Sequence, residues 1–84
     1  MNHTINMSPP YYEAVVSGDL TFDVRDNELL GLQKGDVVHF LEVDDKRRGL
    51  GFGRPTGRST TVVITFVTNL AQVDGNVVFC FRKE

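Results

Sequence analysis

Thr21, Asp23 and Arg25 occupy alternate positions in the run LTFDVRD, residues 20–26. Alternate side chains of an extended strand leave the same face about 7 Å apart, so this spacing sets a hydroxyl, a carboxylate and a guanidinium in a row. Such a row can read a nucleobase. The carboxylate accepts from an exocyclic amine, the guanidinium forks onto a phosphate or a base edge, and the hydroxyl serves either role. The plain alternative is a solvated strand face whose Asp–Arg pair contributes little. A second stretch is electrostatic: Lys46, Arg47, Arg48, Arg54 and Arg58 fall within thirteen residues, with Phe52 among them. Cations placed this way suit a phosphodiester backbone, and a phenylalanine ring can stack on a base. Gly49, Gly51, Gly53 and Gly57 give the segment freedom to fold around a strand. Its alternative is a solvated loop whose charges balance Asp44, Asp45 and an acidic first half.

Other chemistry is sparse. His3 and His39 are the only histidines and Cys80 the only cysteine, which argues against a zinc site and excludes an internal disulfide. No nucleophile triad follows from the spacing, and no cofactor is expected. The Gly49, Gly51, Gly53 pattern does not join a strand to a helix, as a dinucleotide site requires. Cys80 lies between Phe79 and Phe81 and reads as a buried, inert thiol. Of Tyr11 and Tyr12, one ring is expected in the core and one in a ligand cleft, with Tyr12 taken as the ligand's.

The elements that must hold these groups are short. Eighty-four residues with 40% hydrophobic and 24% charged side chains make one domain over 1–84, with a small core. The formal charge of −2 hides a division: residues 1–45 hold nine acidic and two basic groups, residues 46–84 two acidic and seven basic. No apolar run is long enough to span a membrane and no signal peptide is evident, so a cytoplasmic location is expected.

His3, Ile5 and Met7 alternate with polar residues as a first strand. Ser8 followed by Pro9 and Pro10 starts a helix over 9–17, with Ser8 as its side-chain cap and Gly18 closing it in the left-handed conformation. A strand over 20–25 should bury Leu20, Phe22 and Val24 and turn Thr21, Asp23 and Arg25 outward. Residues 26–33 form a turn that plugs the core, and Lys34-Gly35-Asp36 a tight turn. Strands follow over 37–43, 59–68 and 77–82, the last two joined through Asp74-Gly75. Residues 44–58 read as a long, mobile polar connection, a basic loop over about 44–59. The fold class is therefore α+β, a small sheet of about five strands curled into a β-barrel with one short helix packed across it.

The segment YYEAVVSG (11–18) followed by LTFDVRD (20–26) resembles the signature of the ASCH superfamily, in particular the short bacterial and phage branch described as DUF3850. Leu32-Gln33-Lys34-Gly35-Asp36 and Thr56-Gly57-Arg58 resemble further pieces of that branch, in order, so the resemblance covers nearly the whole chain. It implies a PUA-like barrel with a cleft between helix and barrel, proposed for the superfamily to bind RNA or nucleotides. One ASCH branch is similar to amidohydrolases acting on N4-acetylcytidine. Its catalytic lysine position is Leu20 here and its second threonine position is Asp23, so the resemblance does not carry that hydrolytic mechanism, because leucine is neither nucleophile nor base. The expected function is a non-catalytic module binding single-stranded RNA or a nucleotide through Thr21, Asp23, Arg25, Tyr12 and the basic residues. The alternatives are a hydrolase of a modified nucleoside, or a phage protein that docks on a host protein.

Overall fold

The computed structural model describes residues 1–27, 30–44 and 54–84. β1 (Asn2–Met7) alternates exposed and buried residues, and its inward side chains His3, Ile5 and Met7 are nearly covered. α1 (Pro9–Ser17) begins where the two prolines fix φ and lack an N–H. The Ser8 side chain makes no cap hydrogen bond. Pro10, the second helical residue, removes one of the two N–H groups such a cap would bind and leaves that of Tyr11. Gly18 ends the helix as expected, at φ 88°, with its N–H donating to the Val15 carbonyl at 3.1 Å.

β2 (Phe22–Asp26), β3 (Val37–Asp44), β4 (Arg54–Thr68) and β5 (Asn76–Lys83) complete one sheet in the order β1-β3-β4-β5-β2. β1 runs parallel to β3, and every other pair is antiparallel. The sheet curls into a half-barrel with α1 packed against β3. Phe40, Phe79, Val38, Val62, Ile64 and Val15 are its most deeply buried side chains. Phe40 meets the Phe81 ring edge-on at 5.2 Å between centroids and lies nearly parallel to Phe79 at 6.4 Å, arrangements favoured by the ring quadrupole. Leu32 supplies the expected plug from the β2–β3 connection, and is 3% exposed. No helix among the described residues is long and apolar enough to cross a membrane.

Three further expectations from the sequence differ from the structure. Residues 54–58 are not loop: they begin β4, and Arg54 pairs with Asp44 and Pro55 with Val43. Their polar, Pro- and Gly-containing composition hid the strand because it is irregular. Between the pairs Leu41↔Ser59 and Val43↔Pro55, Thr56, Gly57 and Arg58 stand opposite the single residue Glu42, a bulge that Gly57 accommodates at φ 93°. In β2 the faces are exchanged. Phe22 and Val24 are 49% and 40% exposed, whereas Asp23 and Arg25 are half-buried. Asp23 pairs with Phe79 and Arg25 with Val77, so the polar residues share the concave face with the core. A second register shift, between Ile64 and Phe66, turns Phe66 outward to 57% exposure. Cys80, the register partner of both Phe22 and Phe66, is half-buried on this convex face and not in the core.

Candidate nucleotide cleft

The two edge strands of the half-barrel, β1 and β2, approach each other without forming a ladder. Arg25 joins them. Its Nε–H donates to Asp23 Oδ2 at 2.8 Å and its Nη2–H to the Asn6 carbonyl at 3.2 Å. Asp23 Oδ1 accepts the Val24 N–H at 2.8 Å. Both side chains are therefore fixed before any ligand arrives, and they remain partly accessible, Arg25 at 35% and Asp23 at 21%.

Beside this pair lies a cleft of about 380 Å³ lined by Asn6, Met7, Ser8, Tyr11, Asp23 and Arg25. β1 supplies Asn6 and Met7, the start of α1 supplies Ser8 and Tyr11, and β2 supplies the ion pair. The volume lies at the lower end of the ~300–1,000 Å³ range of small-molecule sites. A guanidinium carries five N–H donors; the bonds to Asp23 and the Asn6 carbonyl use two of them, so three keep donor capacity in a side chain that lines the cleft. The Asp23 carboxylate keeps acceptor capacity next to them. Tyr11, 62% exposed, adds an aromatic face at the rim. The arrangement offers adjacent acceptor and donor groups with a ring beside them, the set needed to hold a flat heterocycle by its edge.

Of the residues nominated from sequence, the structure brings Asp23 and Arg25 together. Thr21 is exposed and precedes β2, and its carbonyl accepts the Phe81 N–H at 3.0 Å. The tyrosines are exchanged: Tyr12 is 3% exposed and belongs to the core, and it is Tyr11 that reaches the cleft. One residue along a helix turns the side chain by about 100°, and the sequence does not show which of the two faces the sheet. Lys46, Arg47, Arg48 and Phe52 lie outside the described residues. Arg54 is exposed at the start of β4.

Arg58 belongs to a separate polar cluster. Its Nη1 lies 2.7 Å from Glu13 Oε1 and 3.7 Å from Glu42 Oε2, and the guanidinium stands 4.9 Å above the Tyr12 ring. The Glu13 hydrogen bond pushes its already high pKa further up. Thr56 Oγ1 donates to Glu42 Oε1 at 2.7 Å, so the bulge aims two side chains at one buried carboxylate. Glu42 and Asn6 carry no motif in the sequence, and Ser8 reads there only as a helix cap. The break between β1 and α1 at Ser8-Pro9-Pro10 is the one local signal that marks a place where a strand end and a helix start can form a wall.

No curated protein matches the chain. The sequence model described as Domain of unknown function (DUF3850) matches residues 2–81, nearly the whole half-barrel, and the chain belongs to that family.

Proposed function

We propose that the protein is a non-catalytic module of ASCH, PUA-like type that binds single-stranded RNA or a nucleotide by seating a base in the cleft between β1, α1 and β2. The observation that carries this reading is the preformed Asp23–Arg25 pair, which sets an acceptor beside three available donors in a cleft of about 380 Å³. Bases present donors and acceptors side by side on their edges, and the exposed Tyr11 ring supplies a stacking face. The basic residues Lys46, Arg47, Arg48 and Arg54 supply phosphate attraction in this reading. Leu20 packs against the core and has no reactive group, which supports binding without hydrolysis.

The test is an amide NMR titration of the protein with 5′-mononucleotides and with short single-stranded RNA, at two salt concentrations. Shifts at residues 6–11 and 23–25 support the reading. A weakening with salt for RNA adds the expected phosphate contribution. Absence of shifts at these residues with every nucleotide and RNA removes the proposal.

A further inference from the structure

A second cleft, of about 330 Å³, lies just past the C-terminal end of β2 and is lined by Asn27, Asn69, Gln72, Asn76, Val73 and Asp74 among others. We infer that the two clefts are successive base subsites for one single strand, so that the ligand is an oligonucleotide of at least two residues and not a lone mononucleotide. This rests on the base-binding reading of the first cleft and extends it.

Arg25, in the first cleft, is the register partner of Val77, which lines the second. Cross-strand partners stand about 5 Å apart. Asn27 follows Arg25 by two residues, about 7 Å along an extended chain. The clefts are thus neighbours on the β2–β5 ribbon. Their volumes differ by little, which suits two units of the same kind.

Asn69, Gln72 and Asn76 each carry both a donor and an acceptor, and side-chain amides pair with base edges through both at once. Asn27 is held in place because its Oδ1 accepts the Leu32 N–H at 2.7 Å, and its NH2 group keeps donor capacity in a side chain that lines the cleft. Val73, 71% exposed, offers apolar contact to a base face. The charged residue in this lining is Asp74. A carboxylate repels a phosphate but accepts from an exocyclic amine, so the second cleft suits a base and places the connecting phosphate outside it.

The test compares affinities of mononucleotides and dinucleotides for the wild type and for the Asn69→Ala, Gln72→Ala double variant, by calorimetry and amide NMR. Neither side chain makes a hydrogen bond within the described fold, so the variant should fold. If the inference holds, the best dinucleotide binds at least about tenfold more tightly than its component mononucleotides, equivalent to about 1.4 kcal/mol. Its shifts extend to residues 69–77, and the double variant loses that gain while keeping mononucleotide affinity. Equal affinities, with shifts confined to residues 6–11 and 23–25, overturn the two-subsite inference and leave the single-base reading standing. Shifts at 69–77 from a mononucleotide, with no gain for any dinucleotide, also overturn it, since the clefts would then be unconnected. No shifts with any ligand overturn both.

Discussion

Replacing Thr56 by valine tests the polar cluster built by the β4 bulge. Glu42 lies in β3 opposite the β4 bulge with its side chain 6% exposed, and the Thr56 hydroxyl donates a hydrogen bond to it at 2.7 Å. Arg58 lies 3.7 Å from the other carboxylate oxygen, close enough for attraction but beyond a hydrogen bond. Valine keeps the shape and the β-branching of threonine, so Thr56→Val removes the donor to Glu42 together with the longer bond in which the hydroxyl accepts the exposed Arg58 N–H at 3.3 Å. A hydrogen bond to a charged group contributes about 1.5–3 kcal/mol, and a buried acceptor left unpaired costs its full desolvation. The expected loss is about 2 kcal/mol, which in a domain of this size lowers Tm by roughly 8–16 °C. Thermal and urea unfolding at neutral pH, followed by circular dichroism, measure it. Adding Glu42→Met to the valine variant should restore part of the loss, because no orphaned carboxylate then remains. A Thr56→Val variant within about 0.5 kcal/mol of wild type, or a double variant less stable than the single, refutes the reasoning.

Asp36 controls an acid-sensitive contribution. His3 Nε2 lies 2.8 Å from its Oδ2, and the Met1 ammonium and the Gln33 N–H also face the carboxylate; the His3 hydrogen bond is the largest influence holding its pKa below the ordinary 3.8. A carboxyl with a lowered folded value stabilises the fold fully above 3.8 and loses that contribution as pH falls through the folded value. Asp36→Asn should therefore be less stable than wild type at neutral pH and lose less on acidification below 3.8; parallel pH curves in urea unfolding contradict this. Gly18→Ala should cost about 1 kcal/mol, since a left-handed φ disfavours a Cβ, while nothing lies within 4 Å of that Cβ to add a clash. An unchanged urea midpoint contradicts the cap assignment.

Local chemistry made α1 legible from sequence, because two prolines and a glycine bracket it. The strand-forming runs were legible because β-branched and aromatic residues gather in them. The site was legible only in part. Asp23 and Arg25 were found by their alternation, but the same alternation misled about which face is buried. An Arg–Asp pair at a barrel seam can face inward when it bonds the opposite edge, as Arg25 bonds the Asn6 carbonyl; that requires knowing that β1 and β2 are the two sheet edges. Phe66 was unreadable for a related reason, since one bulge reverses the faces downstream. Thr56 to Arg58 were read as loop because a three-against-one bulge breaks the period of two. In each case information from a distant strand decided the outcome.

The measurement that bears most directly on the central claim is a set of intermolecular NOEs between the protein and a bound nucleotide. The account predicts contacts from the base protons to the Tyr11 ring and the Arg25 side chain, with none to the exposed convex-face rings of Phe22 and Phe66. Contacts from the base to Phe22 and Phe66, with Tyr11 and Arg25 silent, contradict it and move the binding surface to the opposite side of the sheet.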